Sequence, residues 1–114
     1  MNKLHEGYKV VTEDLCSISA WCRVRYSYKR FTKPRPGFGP LCVFDSERSA
    51  ELFGFGFSSC YYTVRIVPCV YERSKQNAIW FLSKNKYEPR ISLESLPRGT
   101  VLAKRVKLVG EVVR

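Results

Sequence analysis

Thiol and imidazole groups are the first candidates for chemistry in this chain, because together they could bind a metal or form a nucleophile and its base. Histidine occurs once, as His5, and the two most closely spaced cysteines lie six residues apart in the set Cys16, Cys22, Cys42, Cys60 and Cys69. Structural zinc usually takes its ligands from closely spaced pairs. The spacing therefore predicts no metal site and favours cysteines that act as small apolar core residues.

Nucleophilic catalysis would need a base that is held rigidly beside the nucleophile. His5 lies in residues 1–6, which we expect to fray at the start of the chain. Asp45, Glu47 and Glu51 are explained by helix capping and solvation. Two Gly-Phe-Gly segments lack the Lys-Ser/Thr that follows in a phosphate-binding loop. We predict no catalytic residue and no cofactor, and the interpretation leans against an enzyme.

Positive charge is the strongest functional signal, with 20 Lys and Arg against 10 Asp and Glu and a net charge of +10. Such a balance produces a field that attracts phosphate backbones or other polyanions. The densest group continues from a predicted strand into a Pro-rich loop, and we predict that it binds nucleic acid through Arg23, Arg25, Lys29, Arg30, Lys33 and Arg35. Two further groups comprise Lys84, Lys86, Arg90 and Arg98, and Lys104, Arg105 and Lys107. Two groups on one side of the sheet would form a phosphate-binding patch.

Aromatic residues accompany the first cationic group, at Tyr26, Tyr28, Phe31 and Phe38. Such side chains could stack on the bases of a single strand beside the cations. The alternative is that the two tyrosines belong to the core, which is favoured because they share strand parity with Cys22 and Val24. Both interpretations remain open at this stage.

The elements that would position these residues follow from hydrophobic periodicity and turn residues. Strands are predicted over residues 8–12, 21–31, 41–44, 60–67 and 78–82, with one or two more in the tail 100–113. Pro68 is expected to end its strand or mark a bulge, and residues 91–96 to form a helical turn. One short helix, about 45–54, would begin at a cap on Asp45 or Ser46 and stop at Gly54.

The whole chain of 114 residues is expected to form one domain. The predicted fold class is α+β, with a mainly antiparallel, curved sheet of about five to seven strands and one short helix. No apolar stretch is long enough to span a bilayer, and the N-terminus lacks the apolar region of a secretory signal. An odd number of cysteines then favours free thiols in a reducing, intracellular compartment rather than a secreted protein.

The sequence therefore predicts a small, basic, intracellular binding protein whose partner is a polyanion, most plausibly nucleic acid. One alternative is an accessory or inhibitor protein of the kind found in phages and mobile elements. It would dock on a protein partner through Phe38, Phe55 and Phe57, since exposed aromatic residues often anchor interfaces.

A third alternative comes from the order of the elements. A tyrosine-bearing strand, a strand-to-helix turn with Ser46 and Ala50, and then a strong strand resemble compact ADP-ribosyltransferase-like folds. That resemblance implies an enzyme acting on a nucleotide ligand, with Glu111 as the candidate catalytic acid.

Overall fold

The computed structural model describes residues 3–17, 24–34, 39–58, 64–80 and 91–110. Six strands, one α-helix and one short 3₁₀ turn occur within them. In chain order they are β1 (Leu4–Thr12), β2 (Leu41–Phe44), α1 (Glu47–Ser58), β3 (Val64–Arg73), β4 (Ala78–Ile79), β5 (Ile91–Ser92), the 3₁₀ turn (Leu93–Ser95) and β6 (Thr100–Leu108).

Four strands close into a barrel in the order β1-β2-β6-β3, and every neighbouring pair is antiparallel. The long strand β3 pairs with β1 from Val64 to Glu72 and with β6 from Cys69 onwards. The short strand β2 lies between β6 and β1, and it meets β1 only where Tyr8 faces Phe44. β4 and β5 form a separate two-stranded sheet.

The two faces of the barrel strands bury different sets of apolar residues. Inside the barrel, Val11, Val43, Val67 and Val106 are fully buried and form a single cluster with their neighbours. On the outer face, Val10 packs with residues of β2 and α1 in a second cluster. Because successive side chains of a strand point to opposite faces, β1 contributes to both clusters.

Helix α1 covers the outer face of the barrel through its own apolar residues. Ala50 is fully buried, and the rings of Phe53 and Phe44 lie 5.2 Å apart between their centroids. The helix begins with a side-chain cap, since the Ser49 amide donates to Ser46 Oγ at 3.2 Å. This contact satisfies one of the amides that a first helical turn leaves unpaired.

The α+β class, the antiparallel pairing and the single helix are confirmed. The prediction of one curved sheet of five to seven strands is wrong, because the described strands form a closed four-stranded barrel and a two-stranded sheet. The physical reason is the length of β1 and β3. Strands of 9 and 10 residues can pair with different neighbours at their two ends, and that stagger closes the sheet on itself.

The helix is longer than predicted, since it continues through Gly54 to Ser58. Gly54 is buried against the strands, and a Cβ there would lie 3.3 Å from Val64 Cγ2. Close packing of the helix on the barrel therefore explains this glycine better than a helix stop. The chain start also differs from expectation, because β1 begins at Leu4 and pairs there with the end of β3.

The strand predicted over residues 21–31 is not a regular strand in its described part, which begins at residue 24. Only isolated bridges occur, from Arg25 to Cys16 and from Thr32 to Val106. Pro68 does not end a strand either, since it lies within β3. Its carbonyl accepts the Val109 amide at 2.9 Å, so its nitrogen faces the point where β6 stops, and no ladder donor is lost there.

Among the described residues, no helix is long and apolar enough to cross a membrane.

Candidate functional site

The basic segment 27–34 lies along β6, although about 75 residues separate them in sequence. Thr32 and Val106 exchange two backbone hydrogen bonds, of 2.7 and 2.9 Å, and the Leu108 amide donates to the Ser27 carbonyl at 3.0 Å. The other edge of this part of β6 pairs with β3. The segment therefore extends the edge of β6 beyond the point where β2 stops, and it places the first predicted cationic group beside the third.

This juxtaposition defines a surface that we call the cationic edge, formed by Lys29, Arg30, Lys33, Lys104, Arg105 and Lys107. Arg105 joins the two segments, because its guanidinium lies 4.1 Å from the centroid of the Phe31 ring. Such a cation–π contact contributes about 0.5–1 kcal/mol at a partly exposed site. Phe31 is thus engaged with Arg105, whereas Tyr28 is exposed.

Glu72 neutralises part of the cationic edge. Its carboxylate is buried and contacts Arg105 Nε at 3.0 Å and Lys104 Nζ at 3.5 Å. Within the described part of the chain, no carboxylate lies within 4 Å of Lys29, Arg30, Lys33 or Lys107. These four cations therefore face solvent without a counter-charge from the described residues.

The predicted nucleic-acid-binding residues divide into described and undescribed positions. Arg25 is exposed beside the buried residues Val24 and Tyr26, as strand parity predicted, and its Nε donates to the Asp14 carbonyl at 3.4 Å. Lys29, Arg30 and Lys33 are exposed on the cationic edge. Arg23, Arg35 and Phe38 lie outside the described residues, as do the side chains of Phe55 and Phe57 and the candidate acid Glu111.

A groove next to the cationic edge was not anticipated from the sequence. Its volume is about 400 Å³, and its lining includes Trp80, Lys75, Lys104, Gln76 and Pro34. Trp80 is held by its backbone, since the Gly39 amide donates to its carbonyl at 2.8 Å, and Gly39 lies so close to the indole that any Cβ would collide with it. Lys104 belongs to both surfaces, so the groove continues the cationic edge.

A buried lysine marks a second site, inside the barrel. Lys9 is only 8% exposed, and its Nζ donates to the Cys42 carbonyl at 2.5 Å and lies 4.9 Å from the centroid of the Tyr26 ring. Lys9 shares strand parity with Val11, so it points into the interior of the barrel. That parity is the signal in the sequence that could have identified it.

The electrostatics around Lys9 keep the lysine charged and the neighbouring thiols neutral. Burial by itself lowers the pKa of Lys9, but the influence of Tyr26, Cys42 and Cys69 and a hydrogen bond to Tyr26 outweigh it and raise the pKa. Burial raises the pKa of the Cys42 thiol, and it raises the pKa of Cys69 to about 12. Reactive cysteines instead have lowered pKa values, so these two thiols are poor nucleophiles at neutral pH.

Among the described residues, no group of three or more His, Cys, Asp and Glu side chains is placed to hold a metal ion. Comparison with known proteins adds no relative, because no family model, no curated protein and no solved structure matches this chain. The geometry of the cationic edge, the groove and the interior lysine is therefore the basis for assigning a function.

Proposed function

We propose that this protein binds single-stranded nucleic acid along the cationic edge. The observation that carries the proposal is the pairing of Thr32 with Val106, which brings two cationic groups from distant parts of the sequence together. Lys29, Arg30, Lys33 and Lys107 would contact phosphates, and Arg25 would extend the contact beyond the edge. Clustered cations without internal counter-charges favour polyanions because their binding releases condensed counterions.

The adjoining groove supports a single strand as the form of nucleic acid. Trp80 provides an indole next to Lys75 and Lys104, and proteins that bind single strands combine cations that follow the backbone with aromatic side chains that stack on bases. An unpaired base could enter the groove while its phosphates remain on the cationic edge. A base inside a duplex could not do so without leaving its stack.

Salt titration with a fluorescent oligo(dT) or oligo(U) strand tests the proposal directly. We expect the logarithm of the association constant to fall linearly with the logarithm of the salt concentration. The slope should be about −0.7 for each phosphate contacted. A matched duplex should bind more weakly than either strand. Absence of binding at low salt, or affinity that does not depend on salt, would contradict the proposal.

Charge reversal of Lys29, Arg30 and Lys33 to Glu then tests the location. We expect affinity at low salt to fall roughly 100-fold and the salt slope to become less steep by about 2, since three phosphate contacts are lost. The matched control reverses three exposed arginines on or near α1 and the start of β3, namely Arg48, Arg65 and Arg98. Equal losses in the two triple variants would show that net charge, and not the cationic edge, determines binding.

A protein partner is the alternative outcome of the same work. Its predicted contact residues Phe38, Phe55 and Phe57 lie outside the described side chains, so no described contact favours it. Co-purification of one stoichiometric protein that survives nuclease treatment would support that function instead. The three described cysteines, Cys16, Cys42 and Cys69, are free thiols, which supports the proposal of an intracellular location.

A further inference from the structure

The Lys9 ammonium lacks an anionic partner among the described residues. The groups that act on it are the Cys42 carbonyl, the Tyr26 phenol and the thiols of Cys42 and Cys69, and none of them is a carboxylate. A buried charge is costly unless it is paired and hydrogen-bonded. Within the described part of the chain, the charge of this buried cation is therefore solvated by neutral groups.

A cavity lies beside Lys9. It encloses about 220 Å³, and Lys9 lines it together with both of its contact residues, Tyr26 and Cys42. The remaining wall is dominated by apolar and aromatic side chains, including Phe44, Ile79 and Trp80. Among the described residues of the wall, Lys9 is the only charged one, and Ser17 and Thr100 add hydroxyl groups. A charged group in a mainly apolar wall is typical of a small-molecule site in which a few polar contacts set the orientation.

The size of the cavity restricts its occupant. An apolar cavity of about 150 Å³ can hold benzene, and sites for drug-sized ligands begin at about 300 Å³. The present cavity is between these limits, so it can accommodate one aromatic ring with a short substituent. A single ammonium matches one negative charge, which a carboxylate supplies, whereas a phosphate dianion would need further donors.

We propose that this cavity binds a small aromatic carboxylate, with the carboxylate on the Lys9 ammonium and the ring against the apolar wall. None of the six cationic-edge residues lines this cavity, although Pro34, Gly39, Pro40 and Trp80 line both the cavity and the neighbouring groove. The raised pKa of Lys9 supports the choice of ligand class. A protonated amine attracts an anion, whereas a Schiff base with a carbonyl compound would require the neutral amine.

The test compares the binding of benzoate with that of its neutral isostere benzamide. No nucleic acid is needed, so the result is independent of the proposed function. Binding is followed by the tryptophan fluorescence of the Trp21→Phe variant, in which Trp80 is the remaining tryptophan, and by the thermal stability of the full chain. A ligand of the native state raises that stability with concentration. We expect a Kd for benzoate at least tenfold lower than the Kd for benzamide. Equal affinities, or no binding of either compound at millimolar concentration, would overturn the proposal.

Lys9→Met identifies the group responsible, because it removes the charge while retaining most of the side-chain volume. Replacing a buried charge by an apolar residue of similar size is often neutral for stability, so the variant is expected to fold. It should lose the preference for benzoate, while the control Lys107→Met on the cationic edge should keep it. An unchanged preference in Lys9→Met would refute the role of Lys9, and the wild-type test pair decides the proposal even if that variant does not fold.

Discussion

The barrel strands carry ionisable side chains that share one electrostatic tendency. Burial raises the pKa of Cys42, Cys69 and Tyr71, and the pKa of Lys9 is also raised. For the thiols and the phenol, the native state favours the neutral form because the surrounding apolar groups solvate a charge poorly. All four groups therefore hold their protons to higher pH in the native state than in the unfolded chain.

This tendency predicts a loss of stability in alkali. Above about pH 9 the unfolded thiol of Cys69 releases its proton while the native thiol, with a pKa of about 12, retains it. The unfolded state then binds fewer protons than the native state, so the free energy of unfolding falls by about 1.4 kcal/mol per pH unit for each such group. Urea unfolding between pH 7 and 11 would measure this decline.

Cys69→Ala provides the comparison. The variant should be less stable at pH 7, because it loses buried volume, but its decline above pH 9 should be shallower than that of the wild type by the contribution of one group. Parallel curves for the two proteins across the alkaline range would exclude Cys69 as a source of the effect.

At the scale of elements, the start of α1 is determined by one side chain. Ser46 Oγ accepts the Ser49 amide at 3.2 Å and contacts Ser49 Oγ at 3.0 Å. A helix of 12 residues is too short to be stable by itself, so it depends on this cap and on packing against Val10, Phe44 and their neighbours.

Ser46→Ala should lower the free energy of unfolding by about 1 kcal/mol, because the first-turn amide loses its acceptor. The matched control is Ser92→Ala, since Ser92 precedes the 3₁₀ turn and makes no side-chain hydrogen bond that caps it. We expect that control to change stability by less than about 0.5 kcal/mol. Chemical denaturation of both variants measures the difference, and similar losses would show that Ser46 does not act as a cap.

At the scale of the whole molecule, the segment 27–34 connects the fold to the proposed function. It is held to β6 by backbone hydrogen bonds and by the contact between Arg105 and Phe31. The same contacts determine where Lys29, Arg30 and Lys33 lie. Loss of the pairing should therefore weaken the barrel edge and nucleic-acid binding together.

Thr32→Pro tests this coupling, because proline removes the amide that donates to the Val106 carbonyl at 2.7 Å. We expect a lower melting temperature and at least a tenfold loss of affinity for single strands at low salt. Thr32→Ala keeps the amide and loses only the weak hydroxyl contact to the Arg25 carbonyl at 3.3 Å, so it should resemble the wild type. Wild-type affinity in the proline variant would show that the pairing does not position the cations.

Local patterns were sufficient for several features of this protein. Alternation predicted that Val24 and Tyr26 are buried while Arg25 is exposed, and these three positions are confirmed. The same alternation placed Tyr28 in the core, and that prediction is wrong, because the segment is not a regular strand and Tyr28 is exposed. The apolar run before Asp45 predicted β2. A helix cap was predicted on Asp45 or Ser46, and the structure places it on Ser46. These features depend on neighbours within a few residues, which is why periodicity and capping chemistry could identify them.

Other features depend on contacts between distant segments. Gly54 continues a helix because Val64 packs against it, and Pro68 is tolerated in β3 because β6 ends beside it. In both cases the contacting residue lies too far along the chain for a local sequence pattern to include it. The closure of the barrel likewise depends on which strands pair at each end of β3.

The sequence by itself therefore determined the positive charge and the antiparallel α+β class. It also predicted free thiols. Only the tertiary structure determined that the segment 27–34 lies beside β6, that Trp80 lies next to Lys75 and Lys104, and that Lys9 faces a cavity. The physical reason is that charge and periodicity are properties of single residues and their neighbours. A binding surface or a cavity requires the long-range pairing of strands that brings separate segments together.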